Sequence, residues 1–178
     1  MELSVGQKVA YPNQGVCLVE EIERKTVGES FITCYLLRVL NDNSIIHVPT
    51  AKAGRVGIRP IIGRIQYKLL MGDLGADFED ISADWKTRSR QFTEKLQSGD
   101  VFAAADVLKK LTFLSTEKKL SFREQNLLDK ARFLIISEIS NAGCAGNCEI
   151  ESEVCRLVAS ACSKHRRSEP AVLAAFVH

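Results

Sequence analysis

The spacing of hydrophobic positions changes character part-way along the 178-residue chain. Over the first sixty residues they come in short runs broken by turn formers. Val9–Tyr11 stops at Pro12-Asn13-Gln14-Gly15, a strong turn signal. Val16–Ile22 comes next, with Val16, Leu18 and Ile22 evenly spaced on one face and charge growing toward its end, the pattern of a half-exposed strand. Phe31–Leu40 is rich in β-branched, aromatic and aliphatic residues. Asn41-Asp42-Asn43-Ser44 predicts a hairpin loop, Ile45–Val48 the return strand, and Pro49 its end. Val56–Ile58 predicts a last short strand before Arg59-Pro60. Four or five short strands predict a small barrel of the SH3 or Tudor kind. A barrel of that size is marginal alone and is expected to pack against the C-terminal part of the chain.

The stretch 61–72 predicts a short helix, and the acidic segment 71–84, with two glycines, a linker. Beyond it the period becomes helical. Asp84 or Ser82 caps a helix that runs to Ser98, with Gly99 just past its end. Asp100 caps the next, which carries Val101, Ala104, Ala105, Val107, Leu108 and Leu111 on one face. Ser121-Phe122-Arg123-Glu124 fits a capping box, ahead of a helix through Leu127, Leu128, Ala131, Leu134, Ile135 and Ile139. A fourth helix is expected over 149–165, and Pro170 precedes a short apolar tail. The expected fold is α+β: an SH3/Tudor-like barrel over 1–70, a linker over 71–84, and an all-α domain over 85–178 that ends in a cysteine-containing extension.

Hydrophobic residues make up 46% of the chain, enough for a packed core, and the net charge is only +2. That average hides a surplus: residues 85–135 hold 11 basic and 6 acidic side chains. Such a segment either binds phosphates or forms a solvated helical surface. No apolar run approaches the ~20 residues needed to span a bilayer. The start, Met1-Glu2-Leu3-Ser4, lacks a signal-peptide pattern. The expectation is a cytoplasmic protein with no membrane partner, whose six cysteines (17, 34, 144, 148, 155 and 162) are reduced thiols.

The chain has no phosphate-cradling glycine loop, no Gly-x-Ser-x-Gly and no His-Glu-x-x-His, so no enzyme is expected. Cys144, Cys148, Cys155 and Cys162 with His165 have the donor types for zinc, but their spacing is poor for a structural site. Cys148, Cys155 and Cys162 recur every seven residues, which predicts a packed stripe on one helix face. Neither metal nor cofactor is expected. A cysteine-based metal or redox sensor stands as an alternative reading that needs an exposed thiol in a basic setting.

Trp85, the only tryptophan, opens a predicted helix and is succeeded by Lys86, Arg88 and Arg90. A lone tryptophan is commonly a core anchor. An aromatic side chain flanked by cations is also how minor-groove proteins wedge between base steps, with stacking worth ~1–3 kcal/mol.

These residues together resemble a known family. Val5-Gly6-Gln7-Lys8-Val9-Ala10-Tyr11-Pro12-Asn13-Gln14-Gly15-Val16, Val48-Pro49 and Val56-Gly57-Ile58-Arg59-Pro60 are similar to the first module of CarD/CdnL proteins. Trp85, Glu94-Lys95-Leu96-Gln97-Ser98-Gly99-Asp100, Lys119-Leu120-Ser121 with Glu124, and Leu128-Asp129-Lys130-Ala131-Arg132 resemble its helical domain. The resemblance implies a Tudor-like domain that binds the β subunit of RNA polymerase by a strand edge, related to a module of the transcription–repair coupling factor. It also implies a helical domain that holds promoter DNA at the upstream edge of the bubble, with the tryptophan wedged in the minor groove. The wedge maps onto Trp85 and phosphate contacts onto Arg88, Arg90 and Lys86. Thr87 and Gln125 stand where a basic residue is often found, so Arg123, Lys118 and Lys119 are expected to extend the patch. Polymerase-binding positions map onto Lys25 and His47, with Arg24 beside them. A protein–protein adaptor without DNA binding is the alternative built on the same modules.

Overall fold

Asn13 and Gly15 both take positive φ (62° and 90°). That lets β1 (Lys8–Tyr11) reverse tightly into β2 (Gly15–Val27) in the computed structural model, which describes residues 2–143 and 149–168. Gly28 (φ 65°) turns β2 into β3 (Ser30–Val39), and Asn43 (φ 59°) turns β3 into β4 (Ile45–Pro49). A fifth strand, β5 (Arg59–Pro60), pairs with β1, so the antiparallel order is β4-β3-β2-β1-β5. This is the expected SH3/Tudor-like sheet.

Two local expectations change. Val56–Ile58 is not a strand: Thr50–Lys52 forms a 3-10 turn and Ala53–Val56 a one-turn helix, α1, closed by Gly57 at φ 86°. The left-handed glycine swings Ile58 into the barrel core. In β2 the core positions are Cys17 and Val19, both fully buried, with Leu18 on the opposite face. An irregularity between Val19 and Glu21 adds one residue to β2, so Ile22 pairs with Tyr35 beyond it. The even spacing of Val16, Leu18 and Ile22 therefore does not mark the core face.

The helices are α2 (Arg64–Leu74), α3 (Trp85–Gln97), α4 (Val101–Glu117), α5 (Phe122–Ala142) and α6 (Ile150–Ser168). Asp84 caps α3, Asp100 caps α4 and Ser121 caps α5, each side chain accepting from the first-turn amides as the sequence predicts. Short turns join α3 to α4 and α4 to α5, so α3 and α5 run parallel and start at the same end.

The barrel core is built on Val9, Cys17, Val19, Tyr35, Leu37, Val39, Val48 and Ile58. The second core gathers Phe92, Leu96, Leu108, Leu111, Ile135 and Ile139 with Ile62, Leu70 and Leu74. α2 is thus the first helix of the helical unit, and a domain end at residue 70 would cut through it. The non-helical connection is 75–84, shorter than the expected linker.

The two units interlock. Arg59 donates through Nη2 to Glu138 Oε2 at 2.9 Å and through Nε to the Gly99 carbonyl at 2.9 Å, and the Ile62 amide donates to Glu138 Oε1 at 3.0 Å. Lys8 Nζ reaches Asn141 Oδ1 at 3.1 Å. Gly99 sits at φ 77°, and a Cβ there would lie 2.8 Å from Pro12 Cγ in the first turn. Gly99→Ala adds left-handed strain to that overlap. The expected cost is about 1–3 kcal/mol, read as a lowered denaturation midpoint with an unchanged slope.

α6 buries Val154, Val158, Ala161, Cys162 and His165. Cys162 lies against α4, its thiol 3.7 Å from the Lys109 carbonyl. Cys155 is exposed, so the seven-residue stripe does not hold: the buried face is set by the branched and small residues, and Cys155 falls at its edge. Cys144 and Cys148 lie outside the described residues. His165 Nδ1 lies 2.9 Å from Asp77 Oδ1, and its ring stacks on Phe78 at 4.1 Å. Among the described residues no cluster of His, Cys, Asp or Glu is arranged to hold a metal ion, and no helix is long and apolar enough to cross a membrane.

Candidate nucleic-acid interface

The surplus of charge in 85–135 is smaller at the surface than in the sequence. Lys109 is buried and donates to the Asp73 carbonyl at 2.7 Å. Lys95 and Lys110 share Asp106, at 2.6 and 3.1 Å. Arg88 is 3% exposed. Its Nη2 and Nε bind Glu124 Oε1 at 2.7 and 3.2 Å, and its Nη1 binds the Ser82 carbonyl at 2.8 Å. A guanidinium taken out of water needs this many acceptors. Arg88 is therefore not a phosphate contact, contrary to the sequence reading. It is the bolt that holds the first turn of α3 to the first turn of α5.

Glu124 completes the bolt. Its Oε2 accepts from the Ser121 amide at 3.0 Å and the Ser121 hydroxyl at 2.9 Å, closing the expected capping box. Burial pushes its carboxyl upward, but the bonds from Ser121 and from the Arg88 guanidinium outweigh that and hold it at about 2.

At this joint, Trp85 is the first residue of α3 and is 59% exposed, too open for a core anchor. Asp84 accepts from the Thr87 amide at 3.0 Å, and its bonds from the Thr87 side chain and amide keep its carboxyl below the usual range. Lys86 Nζ lies 5.7 Å from the indole centroid. Trp85, Lys86, Arg90 and Arg123 line one shallow groove of about 440 Å³. The structure thus brings Arg123, 38 positions further along the chain, beside the tryptophan. Lys118 and Lys119 lie in the turn that leads into α5, both exposed. Arg90 is 73% exposed in its side chain, with only a 3.9 Å contact to Glu94. Both helices also aim their N-terminal ends here, which adds positive potential.

Sequence reasoning missed Phe122. It is the first residue of α5, 83% exposed, so the joint end of α3 and α5 shows two open aromatics. The signal in the sequence is an aromatic directly after the cap Ser121, inside the capping-box motif. Ser89, one turn below Trp85 in the same groove, is the other surprise. Its hydroxyl is buried and has no hydrogen-bond partner among the described residues. Ser89→Ala is expected to stabilise the fold by up to ~1 kcal/mol, seen as a raised melting temperature.

In the barrel, Lys25 Nζ donates to His47 Nδ1 at 3.0 Å, and Glu23 Oε2 lies 3.5 Å from Lys25 and 3.7 Å from His47. An ammonium has no lone pair to give, so Nδ1 is the acceptor. These three share one face of the sheet. Arg24 does not join them: it lies on the opposite face, 5.6 Å over the ring of Phe31, because successive strand residues point to opposite sides. β4, which carries His47, is a sheet edge.

Residues 3–62 match the CarD-like/TRCF RID domain, and residues 70–154 match the CarD C-terminal domain. The chain is also 30% identical over 135 residues to the "Putative transcription factor YdeB" of Bacillus subtilis (strain 168), covering 76% of this chain and 88% of that protein. The chain belongs to the CarD family.

The first matched CarD segment ends at Ile62, where the helical core begins, and the second starts inside α2, so the start of that helix lies between them. A solved structure of the 72-residue N-terminal domain of Myxococcus xanthus CarD is 39% identical, covering 33% of this chain and 79% of that one, with a TM-score of 0.29. CarD proteins form a family of transcription factors, so the chain is assigned to transcription regulation. Most of α6, including Cys155, Cys162 and His165, lies past the matched CarD segment.

Proposed function

We propose that this CarD-family protein regulates transcription initiation by tethering itself to the β subunit of RNA polymerase and gripping promoter DNA at the upstream edge of the bubble. The observation that carries this reading is the half-open indole of Trp85, held at the joint start of two parallel helices and bordered by Lys86, Arg90 and Arg123. Lys118, Lys119 and Phe122 widen the surface. The cations take phosphates, and the indole wedges into the minor groove. The barrel offers the edge of β4, with Lys25 and His47 beside it, for strand addition by polymerase. Tethering raises the local concentration of the helical end at the promoter. Because that end fits the opened edge better than closed duplex, the equilibrium shifts toward the open complex without covalent chemistry. The protein then works in the cytoplasm.

Retention of the full chain on fork-junction promoter DNA, measured against salt, tests the DNA contact. Arg90→Ala and Arg123→Ala should each reduce the slope of log affinity against log salt by about 1. A flat salt response in the unaltered protein would favour an adaptor that never touches DNA. Pull-down by the polymerase β subunit, with Lys25→Glu as the comparison, tests the barrel contact.

A further inference from the structure

We propose that the outer face of α2 is a docking site for an acidic amphipathic helix of a partner protein. The first half of α2 falls between the two matched family segments, which end at 62 and resume at 70. Its inner side is committed: Leu70 and Leu74 are fully buried in the helical core. Its outer side is not. Ile65 is 78% exposed and Leu69 60% exposed. They are four residues apart and form one row along the helix. Arg64 and Lys68, both exposed, form the adjacent row. Past Leu69, Gly72 is exposed and an added Cβ there would meet nothing within 4 Å, so no neighbouring atom covers that end of the face.

The charge on this face, from Arg64 and Lys68, is uncompensated within the described residues. Between Asp42 and Asp73 the chain runs thirty residues without an acidic side chain while carrying Lys52, Arg55, Arg59, Arg64 and Lys68. Arg59 is used at the domain junction. The ion pairs formed among the described residues include none to Arg64, Lys68, Lys52 or Arg55. A cationic row beside an aliphatic row calls for its complement, carboxylates flanking an apolar stripe at helical spacing.

Other occupants fit less well. A nucleic-acid backbone would use Arg64 and Lys68 but leave Ile65 and Leu69 in water. A second copy docked across a two-fold axis would set cationic row against cationic row. An anionic membrane would gain only two aliphatic side chains from an 11-residue helix.

The test uses the full chain and a fluorescein-labelled peptide of about four helical turns, with leucines at helical spacing flanked by glutamates, read by anisotropy. Saturable binding is expected. It should weaken at least roughly tenfold in the double variant Ile65→Ser/Leu69→Ser and in Arg64→Glu/Lys68→Glu. The charge-reversed variant should instead bind the same peptide with lysines in place of glutamates. Unchanged melting temperature and unchanged promoter-DNA affinity in both variants would show that the fold and the Trp85 surface are intact. The proposal is overturned if the unaltered protein does not bind the acidic peptide, or binds equally one whose leucines are serines. It is also overturned if Arg64→Glu/Lys68→Glu lowers DNA affinity as much as Arg90→Ala, which would give the face to DNA. Sedimentation showing a dimer that Ile65→Ser/Leu69→Ser dissociates would give it to a second copy.

Discussion

Trp85→Ala is expected to shorten the lifetime of promoter open complexes by roughly tenfold while leaving capture by the polymerase β subunit unchanged. The size comes from stacking: an indole lodged between base steps contributes ~1–3 kcal/mol, and about 1.4 kcal/mol is a factor of ten. The specificity comes from position. Trp85 projects from the start of α3, in the helical unit, while Lys25 and His47 lie in the barrel. The fold should hardly notice, because the helix start is secured by Asp84, through bonds to the Lys86 and Thr87 amides, and not by the indole. Melting should move by no more than ~0.5 kcal/mol equivalent, as for other exposed substitutions. Trp85→Phe should keep part of the effect, since a smaller ring still wedges. Stopped-flow measurement of open-complex decay checks the lifetimes of both variants, and thermal melting checks the fold. Equal lifetimes for Trp85→Ala and the unaltered protein would remove the wedge from the mechanism.

How much of the fold and the interface was legible in the sequence depends on the range of the interaction. Turns and caps are local, so Pro12–Gly15, Asn41–Ser44, Asp84, Asp100 and Ser121 could be read residue by residue, and with them the order of strands and helices. Trp85 was legible as a candidate because its neighbours are close in sequence. Arg88 was not: its partner Glu124 is 36 residues away, and nothing local distinguishes a buried arginine from Arg90 two positions on. Phe122 and Arg123 join Trp85 only because α3 and α5 start together, a tertiary fact. The end of the barrel is hard to read for a related reason, since Leu70 and Leu74 are apolar in any domain and only packing shows which core they serve. The bulge between Val19 and Glu21 and the left-handed Gly57 each shift a face or an element by one residue, below what spacing alone resolves.

Glu124→Ala is expected to destabilise the protein by about 3–5 kcal/mol, the largest loss among single changes at the interface. Truncation leaves the Arg88 guanidinium 3% exposed with only the Ser82 and Ala83 carbonyls, and it removes the capping box of α5 at once. Arg88→Lys should also cost stability, because an ammonium cannot reproduce a fork that reaches Glu124 on one side and the 82–83 carbonyls on the other. Arg90→Ala, two residues on, should leave stability unchanged and lower only DNA affinity. That contrast separates a residue that positions Trp85 from one that touches phosphate. The bond also predicts a pH dependence. Glu124 is held at about 2, below its ordinary 4.5. The folded state therefore binds this proton less readily than the unfolded state, and the stabilisation is complete above pH ~4.5. It is lost as pH falls from there toward 2, amounting to ~3 kcal/mol at most. Denaturant midpoints measured between pH 6 and 2 should fall through that window in the unaltered protein, and should fall less in Glu124→Gln, whose side chain does not titrate. If the two proteins lost stability in parallel on acidification, the Arg88–Glu124 bond would not be the acid-sensitive element that joins α3 to α5.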